Sequence, residues 1–217
     1  MSSKSVLLID ETAGKRLELP VLRGTEGEPT LDIKSLPSTL GYFTYDPGFG
    51  ATASCTSKIT FIDGDKGILR YRGYPIEQLA EHSTYLEVAY LLLHGELPTK
   101  EQLDVWVNDV THHTFIHENM RKRFVDGFHY DAHPMGMFTS AVAALGTFYD
   151  GAKDIHDPVQ RDRQILRLIA KSPTLAAMAY RFSVGLPFNY PDNDLSYPAN
   201  FLNMMWRVGD YEVDPVL

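Results

Sequence analysis

Arg163, Arg167 and Lys171 recur at every fourth residue, so on a helix their side chains share one face. Such a row forms either a solvated basic stripe or an anion site. In the second case charge-assisted hydrogen bonds, with hydroxyls beside them, hold a phosphate. The other reactive residues give weaker patterns. His117-Glu118 opens a His-Glu-x-x-His zinc motif, but Arg121 stands at the second histidine position. His129 and His133 are four apart, yet Tyr130-Asp131 and Pro134 suit a helix start and no third ligand follows. No metal is expected. Asp63-Gly-Asp65-Lys-Gly67 begins like a calcium loop, but Gly67 and Tyr74 occupy the fifth and twelfth positions where ligands are needed. Gly48-Phe-Gly50-Ala-Thr-Ala53 loosely matches a dinucleotide fingerprint, which works only between a strand and a helix. Here Cys55–Phe61 reads as strand. No Gly-x-Ser-x-Gly elbow is present, so a hydrolase triad has no support. Cys55 has no activating base beside it and reads as a buried structural thiol.

The elements that would position these residues follow from periodicity. Val6–Ile9 and Leu17–Leu22 are apolar runs around a turn and predict a hairpin. Tyr42–Tyr45 predicts a further short strand, stopped by Asp46-Pro47-Gly48. Ile59–Ile62 and Ile68–Tyr71 flank an Asp-Gly turn, a second hairpin, in which glycine supplies the positive φ. Pro75 opens a short helix over Ile76–Ala80. From there the chain reads as helices. Thr84 with Glu87, and Thr99 with Gln102, make capping boxes at the starts of two of them, and Gly95 stops the first. The second carries Leu103, Trp106, Val107 and Val110 on one face. His133-Pro134 opens a third helix, with an apolar stripe from Met135 through Phe138, Ala141, Val142 and Leu145 to Phe148 and Tyr149. Asp157-Pro158 caps a fourth, running to about Ala170. Ser172-Pro173 caps a fifth, ended by Gly185. Pro187–Pro191 reads as a loop, and a last helix spans about Ser196–Arg207. The fold class is therefore mainly α, with a β-rich N-terminal region over residues 1–74 and a helical part over residues 75–217.

Composition excludes several function classes. The 217 residues carry a formal net charge of −8, which argues against a nucleic-acid partner, since phosphate backbones need a basic face. No apolar run reaches the roughly 18 residues that span a bilayer, and the N-terminal apolar run is too short for a signal peptide. The single cysteine cannot form an internal disulfide and suits a reducing compartment. A cytoplasmic protein is expected.

Longer strings carry a resemblance. FIDGDKGILRYRGYPIEQLA, followed by YLEVAYLLLHGELPTKEQL, resembles the N-terminal half of citrate synthase, with the bacterial (type II) form the nearest pattern. DPGFGATASCTSKITFIDGD, HHTFIHE, DAHPM and NDLSYPANFLNMMW agree with it, so the resemblance runs from about Leu19 to Leu217. It implies a helical citrate-synthase-like body and an acyltransferase of the tricarboxylic acid cycle. Such an enzyme condenses acetyl-CoA with oxaloacetate to citrate and CoA, with acetyl-CoA as co-substrate and no cofactor. An aspartate takes the acetyl proton, histidines stabilise the enolate and polarise the oxaloacetate carbonyl, and arginines clamp its carboxylates.

None of those catalytic residues matches a position in this chain. The family pattern continues past Leu217 with a helix bearing a His-Ala-Asp-His segment, so the catalytic groups are expected after Leu217. This stretch alone is then expected to be inactive and to supply scaffold and interface. A homodimer or hexamer is the usual assembly of the bacterial form. Some of these enzymes bind NADH as an allosteric effector, and the resemblance places that site on His113, Thr114, Tyr149, Arg167, Lys171 and Asn193. Two departures stand out. His112 occupies a position where those enzymes have arginine, and the cysteine before the Tyr211-Glu-Val segment is absent. A 2-methylcitrate synthase, which uses propionyl-CoA, shares the pattern. A non-catalytic nucleotide-binding regulatory module and a purely structural fragment are the remaining alternatives.

Overall fold

The computed structural model describes residues 4–123 and 125–215. The chain divides into two compact units between His82 and Ser83, eight residues beyond the boundary drawn from the sequence at 74/75.

In the first unit, strands β1 (Ser5–Asp10) and β2 (Lys15–Leu22) form an antiparallel hairpin, with Leu8 opposite Leu17 and Val6 opposite Leu19. Asp10 fixes the turn by accepting the N–H groups of Thr12 and Ala13. The two-residue strand β3 (Thr30–Leu31) adds to the far side of β2. The short helix α1 (Leu36–Leu40) covers one face of β2, so that Leu17, Leu19, Leu36 and Leu40 make a small core. A second sheet joins β4 (Thr60–Asp63), β5 (Ile68–Tyr71) and β6 (Tyr74–Pro75) in that order. Its first turn is held by Asp63 Oδ1 on the Lys66 N–H. The residue with positive φ there is Gly67, at +65°, rather than Gly64. Helix α2 (Ile76–His82) starts just after Pro75.

Two expectations fail in this unit. Tyr42–Tyr45 is not a strand. Gly41, at φ +81°, ends α1 and releases the segment to the surface, where Phe43 and Tyr45 are 84% and 92% exposed. Aromatic β propensity makes no strand where no neighbouring strand is available to pair. Cys55 is exposed, not buried, because the segment before Thr60 is irregular rather than strand.

The second unit is helical. Helices α3 (Tyr85–His94) and α4 (Lys100–Thr111) both begin with complete capping boxes, at Thr84/Glu87 and Thr99/Gln102. Gly95 closes α3 in the left-handed conformation. Helix α5 (Glu118–Arg123) is followed by α6 (Pro134–Leu145), where the His133 ring accepts the Met135 N–H. On α6, Met137 is buried while Met135 faces solvent; on α4, Val107 is likewise exposed.

The largest correction concerns Pro173. The predicted fourth and fifth helices are one, α7 (Pro158–Ser183), with Pro173 inside it. An interior proline removes one backbone donor and usually breaks a helix. Here the orphaned carbonyl is that of Ile169, four residues back. It accepts the Tyr197 hydroxyl at 2.8 Å. Tyr197 comes from helix α8 (Tyr197–Trp206), capped by Ser196, and its ring stacks on Tyr85 at 4.8 Å. Burial, then the neighbouring Tyr85, raises the Tyr197 pKa, so the phenol stays a donor. Packing thus restores the bond that the sequence removes. Buried Leu86, Val110 and Ala170 form one cluster of the core, and Met120, Ala141, Leu145 and Leu175 another.

Candidate functional site

The turn that follows α4 and the middle of α7 meet in a polar cluster. At the end of α4, the last carbonyls need partners that the helix cannot supply. The rings of His112 and His113 turn back on the last turn, with Nδ1 at 2.7 Å from the Asn108 oxygen, which also accepts the His112 N–H, and 2.6 Å from the Asp109 oxygen. Lys171, one of the cations on α7, reaches across to the next turn. Its amine donates to the carbonyls of His113, at 2.6 Å, and Phe115. One helical turn on, the Thr174 hydroxyl donates to the Thr114 carbonyl at 2.9 Å. The Thr114 hydroxyl in turn lies 2.8 Å from Asn193 Oδ1.

Arg167 lies one turn before Lys171, with its guanidinium 4.0 Å from the centre of the Tyr149 ring. That distance is within cation–π range. The same ring lies 5.9 Å from the Lys171 amine. All six residues implied by the resemblance are therefore linked here: His113, Thr114 and Asn193 by hydrogen bonds, Tyr149 and Arg167 by ring contact, and Lys171 by both. Arg163 shares the helix face but stays exposed and outside the cluster. Thr174 was missed in the sequence. Its signal was its position three residues after Lys171, on the same face.

The cations here differ in kind. Lys171 is only 4% exposed. Burial, then the nearby Arg167 charge, lowers its pKa to about 8. Two of its donors already serve carbonyls, so it fastens the turn more than it displays charge. Arg167 is half-buried, and among the described residues neither it nor Arg163 pairs with a carboxylate. A guanidinium held against a tyrosine ring and without a carboxylate partner suits an anion. Tyr149 has its pKa raised by burial, against a smaller opposing effect from Arg167, so it remains a neutral phenol.

The family model described as citrate synthase, C-terminal domain, matches residues 48–217. The chain belongs to the citrate synthase family. Citrate synthase structures also resemble it along most of its length. The enzyme from Pyrobaculum aerophilum is 34% identical with a TM-score of 0.69, over 90% of this chain and 46% of its own. The enzyme from Thermotoga maritima is 29% identical with a TM-score of 0.64, over 75% of this chain and 42% of its own. That from Thermoplasma acidophilum is 28% identical with a TM-score of 0.63, over 73% of this chain and 41% of its own; it was solved as a ternary complex with carboxymethyl coenzyme A and oxaloacetate. The chain thus spans less than half the length of these citrate synthases. The mainly helical fold expected from the sequence is the fold they share. Among the described residues no helix is long and apolar enough to cross a membrane.

Proposed function

We propose that these residues are the N-terminal part of a bacterial (type II) citrate synthase that condenses acetyl-CoA with oxaloacetate to citrate and CoA. The observation that carries this is the family match over residues 48–217, joined to a structural neighbour solved with a CoA analogue and oxaloacetate. In this proposal the stretch supplies helical scaffold and interface for a cytoplasmic homodimer or hexamer. The proton-moving aspartate and histidines come from chain outside it. The test is thiol release from acetyl-CoA in the presence of oxaloacetate. The intact protein is expected to turn over and residues 1–217 alone are not. Turnover by residues 1–217 alone contradicts the division of labour. A preference of the intact protein for propionyl-CoA moves the assignment to 2-methylcitrate synthase.

We further propose that the cluster of His113, Thr114, Tyr149, Arg167, Lys171 and Asn193 is an allosteric site for NADH. The Arg167 guanidinium, without a carboxylate partner among the described residues, supports this by offering charge to a pyrophosphate oxygen. Lys171 acts as the positioning residue, because its amine holds the turn that presents Thr114. NADH inhibition of the intact protein that disappears in Arg167→Ala, with basal activity retained, is the expected result.

A further inference from the structure

Among the described residues strand β1 is an edge strand, and its sequence and outward backbone groups are complementary to themselves. Val6, Leu7, Leu8 and Ile9 are 44%, 52%, 39% and 49% exposed, a continuous apolar run on the open side of a sheet ordered β1-β2-β3. Natural edges usually carry charge, proline or a bulge that discourages pairing; this run carries none. The Val21 N–H donates to the Lys4 carbonyl. Antiparallel strands alternate hydrogen-bonded and non-hydrogen-bonded pairs. In the observed register Lys4, Val6, Leu8 and Asp10 therefore spend their backbone groups on β2, while Ser5, Leu7 and Ile9 turn theirs outward. Opposite Ser5 stands Pro20, which has no N–H to offer and whose carbonyl serves Asp32 instead.

We propose that β1 pairs antiparallel with β1 of a second copy of this chain, about a two-fold axis through Leu7. The outward groups are centred on Leu7, so this register sets Leu7 against Leu7 and Ser5 against Ile9 in hydrogen-bonded pairs. It sets Lys4 against Asp10 of the second copy, an opposite-charge pair at each end, and Val6 against Leu8 on one face. That face is the one on which Leu17 and Leu19 are buried under α1. Pairing therefore extends each small core across the axis. The contact is isologous, with the same patch on both copies, and adds a strand to an open edge. A different partner strand would have to reproduce this spacing of charge and backbone groups; a second copy does so by symmetry.

The test uses the intact protein. Leu7→Pro removes an outward donor and leaves the β1–β2 ladder intact, so the mass measured by sedimentation should fall to that of the smaller assembly that the helical interface alone holds. Val6→Pro, which breaks the inner ladder, controls for loss of the hairpin. Register is tested with cysteines in a Cys55→Ser background. Val6 and Leu8 of the second copy form a non-hydrogen-bonded pair with Cα atoms about 4.5 Å apart, within disulfide reach. Val6→Cys/Leu8→Cys should therefore oxidise to a covalent dimer, while Val6→Cys alone should not. A double-cysteine protein that gives no intermolecular link, with a Leu7→Pro mass equal to wild type, overturns the proposal. Equal linking by Val6→Cys alone overturns the register.

Discussion

The strand-rich unit keeps four consecutive apolar side chains at its surface, whereas the helical unit buries a lysine and an arginine. Arg181 is 1% exposed, and its guanidinium donates to the carbonyls of Pro187, Met205 at 3.0 Å and Arg207 at 3.3 Å. Lys171 does the same for His113 and Phe115. Residue type alone would place these side chains the other way round. What decides is where backbone groups find partners. In the helical unit, turns and helix ends leave carbonyls inside the protein, and a buried cation satisfies several at once. In the strand unit, the edge of β1 leaves its backbone groups facing out, and the apolar side chains stay beside them.

The sharpest way to break that comparison is to remove the buried cations. Arg181→Met leaves several interior carbonyls unpaired, and a loss of about 3–5 kcal/mol is expected in denaturant unfolding. Lys171→Met should cost about 2–4 kcal/mol for the same reason. Arg163→Ala, on the same helix face but exposed, should stay within about 0.5 kcal/mol of wild type. Equal losses at 163 and 171 would show that the turn does not depend on Lys171.

Lys171 also gives a pH signature. Its folded pKa is about 8, below its ordinary value of 10.5, so between those values the unfolded chain binds more protons. Stability from this group therefore rises with pH across that window. Below pH 8 the cost of burying the charge is fully present. The stability gap between wild type and Lys171→Met should accordingly widen from pH 8 toward 10; a constant gap contradicts the buried ammonium.

A smaller effect is expected where α7 passes Pro173. Tyr197→Phe strands the Ile169 carbonyl and should cost about 1–2 kcal/mol. Pro173→Ala restores the N–H that the carbonyl lacks, so in that background Tyr197→Phe should cost less. Additive losses would mean that the tyrosine does not compensate for the proline.

The same cases show how much was legible in the sequence. Both capping boxes, the strand pairs of the two hairpins and the Gly95 stop depend on neighbours within a few residues and were read correctly, whereas the positive φ of the second hairpin's turn falls on Gly67 and not on Gly64. The continuity of α7 was not legible, because the group that rescues Pro173 lies on another helix, 24 residues further on. The spacing of Arg163, Arg167 and Lys171 gave their common face but not their opposite environments. Of that row it is Lys171 that hydrogen-bonds to the turn over 113–115. The rest of the cluster came through the family resemblance; nothing local connects Asn193 to Thr114. Cys55 and Tyr42–Tyr45 were misread for lack of a strand to pair with.

NADH titration of the intact protein, followed by equilibrium binding for wild type, Arg167→Ala and Arg163→Ala, tests the division between fastening and displayed cations most directly. The account predicts that Arg167→Ala weakens binding by roughly 10- to 100-fold, as loss of a charged hydrogen bond implies, while Arg163→Ala leaves it unchanged. Equal affinities for all three proteins, or no NADH binding by wild type, would contradict it.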